Sequence, residues 1–89
     1  MIERTFEIVN EKGLHARASA RFVELVERFD ASAEVEKDGM SVSGDSIMGL
    51  LMLAGSRGTE ITVRTSGAEA AALADALGEL IAARFGEDM

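Results

Sequence analysis

The single histidine of the chain, His15, stands where a loop gives way to a predicted helix. Gly13 and Leu14 close the loop, and good helix formers follow from Ala16 onward, so we expect His15 at the N-cap or in the first turn. A helix start leaves backbone N–H groups without intrahelical partners and carries partial positive charge, which favours anions. The N–H groups expected to bind an anion here are those of Ala16, Arg17 and Ala18. An imidazole beside an anion site predicts phosphoryl chemistry.

Three basic side chains flank this histidine. Arg17 and Arg21 are four residues apart on one helix face, where they repel each other, and the positive end of the helix dipole disfavours both. Lys12 adds a third positive charge, in a chain whose net charge is −7. Mutual repulsion and the helix dipole make this local basic patch unfavourable for the helix. Its presence therefore predicts a functional role for these charges.

Other site chemistries fit these residues less well. A hydrolase could use His15 as a base for Ser19 or Ser46, but no residue supplies the orienting group. An RNA-binding sheet needs exposed aromatic residues, and the chain has no Tyr or Trp. A metal carrier needs thiolates or several imidazoles, so we expect no metal and no cofactor. A phosphoryl relay needs only an imidazole nucleophile, a cation and N–H donors. A small binding module without phosphotransfer remains the alternative.

Composition predicts one globular domain over residues 1–89, since 47% of the residues are hydrophobic. The chain has no cysteine and no apolar run of the ~20 residues that a membrane span needs, so we expect a cytoplasmic protein with neither signal peptide nor anchor. Its 16 acidic and 9 basic residues argue against binding nucleic acid. We expect a monomer whose partners are proteins.

Alternating and amphipathic patterns then predict the elements that hold the histidine. Alternation predicts a strand over residues 2–9, a hairpin turning at Lys37-Asp38-Gly39, and a fourth strand over residues 60–65. The first helix is predicted from about Ala16 to Phe29, with an apolar arc made by Ala18, Phe22, Leu25, Val26 and Phe29.

Two further helices follow from capping signals and apolar spacing. Asp45 or Ser46 can cap a short helix that Gly55 and Gly58 end. Residues 66–69 fit a capping box before a final helix that stops near Gly86. The resulting order, β-α-β-β-α-β-α, predicts an α+β fold, an open-faced β-sandwich with a four-stranded antiparallel sheet and three helices on one face.

Two segments of the chain resemble the signatures of a known family. Gly13-Leu14-His15-Ala16-Arg17 and Ser46-Ile47-Met48-Gly49-Leu50 are similar to the two motifs of the histidine-containing phosphocarrier (HPr) family of the bacterial phosphoenolpyruvate-dependent phosphotransferase system. The resemblance spans essentially the full length. It implies that His15 accepts a phosphoryl group on Nδ1 from enzyme I and passes it to IIA-type proteins, with Arg17 assisting. It also implies phosphorylation of Ser46 by an HPr kinase/phosphorylase.

The second segment also predicts a docking surface for partner proteins. A helix this short cannot turn all of its apolar side chains inward, so we expect some of them to be exposed near the histidine. Methionine side chains adapt to several partners in turn. The residues expected to contact partners are Ile47, Met48, Leu51, Met52 and Arg21.

The chain departs from the family pattern at one position. Many members have proline at the position that is Ala18 here, and this chain has no proline. Alanine still suits a helix start and restores a backbone N–H, so we expect the anion site to survive. Arg17-Ala18-Ser19, together with Met48, Leu51 and Met52, resembles the nitrogen-related branch (NPr). The residues leave open whether the protein serves sugar uptake or regulation.

Overall fold

A computed structural model describes residues 1–88 as one four-stranded sheet with helices packed against it. Along the chain the elements are β1 (Ile2–Glu7), α1 (Ala16–Glu27), β2 (Ser32–Lys37), β3 (Met40–Ser43), α2 (Ile47–Met52), β4 (Glu60–Ser66) and α3 (Ala70–Ala82), followed by a 3-10 turn (Arg84–Gly86). The sheet is antiparallel, with strand order β1-β4-β2-β3. The predicted open-faced α+β sandwich is confirmed.

The alternation of the strands separates a core face from a solvent face. On the core face, Val63 of β4 pairs with Val35 of β2, which pairs in turn with Val42 of β3. On the solvent face, Arg64 forms ion pairs with Glu3, Glu34 and Glu36. The helices cover only the core face, where they contribute the buried side chains of Phe22, Val26, Leu50, Leu73 and Leu77.

The hairpin and the first helix form close to where the sequence places them. Asp38 and Gly39 both have positive φ, 52° and 83°, which a two-residue turn between β2 and β3 requires. Helix α1 ends at Glu27, two residues before the predicted end, because the N–H groups of Arg28 and Phe29 bond the carbonyls three residues back. Phe29 still packs on the core from outside the helix.

The predicted capping box of the last helix is wrong. Ser66 belongs to β4, where its Oγ lies 3.0 Å from Oγ of Ser32, and the Glu69 carboxylate accepts from the N–H of Asp30 instead. Helix α3 therefore begins at Ala70 without a side-chain cap. It ends at Ala82, earlier than the predicted stop near Gly86.

The end of α2 also differs from the prediction. After Met52 the chain leaves the helix through Ala54, whose φ is 53°, so a residue other than glycine takes the left-handed conformation. Gly55 serves a different purpose, because a Cβ there would lie 2.9 Å from Leu14 Cδ1. Within residues 1–88, no helix is long and apolar enough to span a bilayer.

Candidate functional site

His15 is the N-cap of α1. Its backbone is extended (φ −74°, ψ −179°), and its carbonyl accepts the first helical hydrogen bond from Ser19 N–H at 2.9 Å. The ring itself makes the capping contact, because Nδ1 accepts from the N–H of Arg17 at 3.2 Å. The imidazole nitrogen is therefore held at the positive end of the helix dipole, and 27% of the side chain is exposed.

The loop before His15 is fixed by close backbone contacts. Gly13 has φ of 62°, and a Cβ on it would lie 2.2 Å from the carbonyl oxygen of Gly55, so only glycine fits. The buried Leu14 donates its N–H to the same carbonyl at 2.8 Å. Asn10, fully buried, donates from Nδ2 to the Gly13 carbonyl at 2.9 Å. The segment that follows α2 thus holds the histidine loop in place.

Glu87 is the site residue that the sequence did not reveal. One of its carboxylate oxygens contacts His15 Nε2, and the other accepts from Asn10 Nδ2 at 3.0 Å. Burial raises the pKa of the Glu87 carboxyl, but the hydrogen bonds from Asn10 and His15 outweigh it and hold the pKa below its usual range. No local pattern could have indicated this contact, because 72 positions separate the two residues.

The hydrogen bonds of His15 determine which ring nitrogen is free to react. Nδ1 accepts a hydrogen bond, so it carries no proton, and the ring proton must lie on Nε2, facing the Glu87 carboxylate. The lone pair on Nδ1 is therefore the nucleophilic one. Nδ1 can attack an electrophile without first losing a proton.

The predicted cations lie around the same open cavity of about 530 Å³. It is lined by Lys12, His15, Arg17, Arg21 and Glu87, among others. The Arg17 side chain is exposed and forms no ion pair within residues 1–88. Arg21 instead donates from Nη1 to the carbonyl oxygen of Phe85.

The backbone N–H groups predicted to bind an anion lie at the same helix start. The N–H of Arg17 is engaged by the His15 ring, while Ala16 is exposed beside it and Ala18 is fully buried. An anion that meets Nδ1 would approach the first turn of α1, where these groups have no intrahelical acceptor.

Ser46 lies at the N-cap of α2 and accepts from the N–H of Gly49 at 3.0 Å. It is separate from the cavity around His15. Exposed apolar side chains follow it on α2, with 40% of Ile47, 69% of Met48 and 64% of Met52 accessible. Leu51 is half-buried, and Leu50 and Leu53 are buried in the core.

The structure disfavours two of the competing chemistries, hydrolysis through Ser19 and RNA binding on the sheet. Ser19 is fully buried and donates from Oγ to the Leu14 carbonyl, so it is no nucleophile for His15. The solvent face of the sheet presents carboxylates from Glu3, Glu7, Glu34, Glu36 and Glu60, which would repel RNA. Among residues 1–88, no group of three or more His, Asp or Glu side chains could hold a metal ion.

Comparison with known proteins places the chain in one family. A family model described as "PTS HPr component phosphorylation site" matches residues 2–83. The phosphocarrier protein HPr of Neisseria meningitidis is 45% identical over 87 residues, covering 98% of each chain. The crystal structure of HPr-C-His from Thermoanaerobacter tengcongensis matches with a TM-score of 0.95 at 39% identity and full coverage of both chains. A crystal structure of an HPr dimer from that organism matches at 0.77, with 40% identity over 98% of this chain and 100% of the other. This chain therefore belongs to the HPr family of phosphocarrier proteins of the phosphotransferase system.

Proposed function

We propose that His15 accepts a phosphoryl group on Nδ1 from phosphorylated enzyme I and passes it to IIA-type proteins. One observation carries the proposal: His15 caps α1 with Nδ1 unprotonated and turned toward the helix start. The protein acts as a relay between partner enzymes, with the phosphoryl group as its cargo.

The transfer uses groups that are already in position. The Nδ1 lone pair forms the bond to phosphorus while the bond from phosphorus to the donor breaks, and the donor leaves with its electron pair. The Arg17 N–H, which now bonds Nδ1, is released to the phosphoryl oxygens, and the N–H groups of Ala16 and Ala18 flank it. The Arg17 guanidinium offsets charge on those oxygens in a loose transition state.

Partner proteins dock on α2 beside the histidine loop. Gly55, just after α2, accepts a hydrogen bond from Leu14, just before His15, which ties the end of α2 to the histidine loop. The apolar part consists of Ile47, Met48, Leu51 and Met52, and Arg21 lies toward the site on α1. The adaptable methionine side chains suit a surface that meets enzyme I and IIA-type proteins in turn.

Ser46 is a regulatory phosphorylation site for an HPr kinase/phosphorylase. A phosphate on its Oγ would sit at the N-terminus of α2 and add about −1.5 to −2 charges beside the apolar docking residues. The helix start tolerates that charge. Binding of partner proteins to the apolar patch would weaken, because the phosphate dianion opposes desolvation of the patch.

The 89 residues form a single domain that works as a cytoplasmic monomer. The absence of cysteine suits a reducing compartment. Because a Thermoanaerobacter relative has been crystallised as a dimer, the proposed monomer needs a direct test. A sedimentation measurement should give the mass of one chain.

Phosphorylation with purified components tests the proposed function. The protein is incubated with enzyme I and labelled phosphoenolpyruvate, and we expect a phosphoprotein that is labile in acid and stable in base, as phosphohistidine is. His15→Ala should remain unlabelled, while Ser56→Ala, an exposed control, should be labelled like the wild type. Full labelling of His15→Ala would overturn the assignment. Absence of label from wild type, with affinity for a peptide or nucleic acid instead, would favour a binding module.

A further inference from the structure

The last described residues form a segment that crosses the functional site, and we call residues 84–88 the C-terminal strap. The aromatic ring of Phe85 is fully buried and anchors the strap in the core. Arg21 donates to the Phe85 carbonyl, and Glu87 reaches both Asn10 and His15. The strap is therefore attached at both the core and the imidazole.

The backbone of the strap is held in an uncommon conformation. Arg84, Phe85 and Gly86 have φ of 57°, 55° and 79°, so three successive residues are left-handed. For arginine and phenylalanine this conformation is unfavourable and persists only where surrounding contacts stabilise it. The reversal it produces is what brings Glu87 from the end of α3 onto the imidazole.

The family model matches residues 2–83, so the strap lies beyond the region that it describes. The contact between Glu87 and His15 thus involves a residue outside the matched region. The Glu87 side chain is only 15% exposed, and it bridges the ring to the buried Asn10. A carboxylate in this position is more than a solvated surface charge.

We infer that Glu87 is a positioning residue for the phosphoryl relay, an inference that rests on the proposed function. Its carboxylate accepts the Nε2 proton, which fixes the ring orientation and keeps the Nδ1 lone pair available. When Nδ1 forms its bond to phosphorus, the Nε2 proton stays on the ring, and the ring gains positive charge. Glu87 faces that charge and stabilises it, so no proton has to move during the transfer.

The opposite role, obstruction of the site by a negative charge, is disfavoured by the geometry. Glu87 contacts Nε2, on the far side of the ring from Nδ1, and the Arg17 N–H lies on the Nδ1 side. The phosphoryl group therefore meets the cationic helix start, while the carboxylate remains behind the ring.

Two readouts on the full chain test the inference. The first is ¹⁵N NMR of the imidazole above pH 8, which reports which nitrogen carries the proton. We expect the wild type to hold the proton on Nε2, and Glu87→Ala to populate the tautomer protonated on Nδ1. The second is the initial rate of phosphorylation by phospho-enzyme I, which we expect to fall about tenfold in Glu87→Gln, the loss of one charge-assisted hydrogen bond.

The matched control is Glu79→Gln, which removes the same charge from an exposed position on α3 that does not line the cavity around His15. It should change neither readout. Unchanged tautomer and rate in the Glu87 variants, or a faster reaction in Glu87→Gln, would overturn the inference. If Glu87→Ala does not fold, the near-isosteric Glu87→Gln decides it. A wild type that accepts no phosphoryl group would contradict the proposed function, and the ¹⁵N spectra would still decide whether Glu87 positions the ring.

Discussion

At the scale of single residues, the site places an imidazole that caps a helix beside an exposed guanidinium. The His15 ring takes the role that Ser or Asp usually plays at a helix start, and so exposes its nitrogen to the helix dipole. Arg17 stands beside it without an ion pair in the described part of the chain. The same imidazole nitrogen therefore caps the helix and faces the open cavity.

Arg17→Ala is expected to slow phosphoryl transfer without destabilising the fold. The guanidinium is exposed and does not pack in the core. The free energy of unfolding should therefore change by no more than about 0.5 kcal/mol, the range typical of surface substitutions. The transfer rate should fall by roughly 10-fold or more, because a cation near the phosphoryl oxygens is lost. Rapid-quench kinetics and thermal melts measure the two effects. A large loss of stability with a normal rate would reverse this assignment.

Glu87 gives the stability of the fold a dependence on pH. Because the folded-state pKa of Glu87 lies below the ordinary value of 4.5, the ionised carboxylate stabilises the fold above that pH, and the contribution is lost as the pH falls through the folded-state value. We expect wild type to melt above Glu87→Gln at neutral pH and the difference to close as the pH falls below 4.5. Calorimetry of both proteins measures this. A difference that is constant with pH would contradict the bridge to Asn10 and His15.

The residues around His15 were predictable, and Glu87 was not, for one physical reason. Gly13, His15 and Arg17 are neighbours in sequence, and the onset of helical spacing shows where the imidazole must lie. Glu87 reaches the site through the left-handed turn at residues 84–86, which contains only one glycine and so carries no turn signal. Contacts between distant segments need the tertiary structure.

At the scale of elements, α2 divides its apolar residues between the core and the surface. Leu50 and Leu53 are buried, while Met48 and Met52 are more than half exposed.

The strands could be predicted from alternation, because alternation depends only on the burial of one face. The predicted capping box of α3 was wrong. Residues 66–69 fit the local sequence pattern, but Ser66 pairs with Ser32 in the sheet and does not cap the helix.

Met48→Glu is expected to weaken enzyme I binding and leave the domain folded. The side chain is 69% exposed, so a carboxylate there costs little stability but opposes burial in the complex. Titration calorimetry with enzyme I and thermal melts give the two quantities. Leu50→Ala is the contrasting control, since emptying this buried position should cost about 2–5 kcal/mol. Unfolding of Met48→Glu would place Met48 in the core.

Ser46→Asp should be a poorer phosphoacceptor than Ser46→Ala in the enzyme I reaction at low salt. The aspartate keeps the cap of α2 but adds charge beside Met48, whereas alanine removes the cap at a cost of about 1 kcal/mol and adds no charge. Ser41→Asp, at an exposed position on β3 outside the cap of α2, serves as a control for added charge. Equal rates for the two Ser46 variants, repeated with enzymatically phosphorylated protein, would leave Ser46 as a cap alone.

At the scale of the whole molecule, the charges are distributed unequally. The solvent face of the sheet carries five glutamates, three of them paired with Arg64, whereas Lys12, Arg17 and Arg21 line the cavity around His15. The cavity around His15 therefore brings these three cations together with three carboxylates, those of Glu11, Glu87 and Asp88, in a chain whose net charge is −7.

Assignment of the phosphorylated nitrogen tests the account most directly. The ¹⁵N-labelled chain is phosphorylated by enzyme I and phosphoenolpyruvate, and ¹⁵N and ³¹P spectra identify the nitrogen that is bonded to phosphorus. Because Glu87 holds the Nε2 proton and Nδ1 faces the start of α1, the phosphorus should be found on Nδ1 of His15. Phosphorus on Nε2, or on any other residue, would contradict the account.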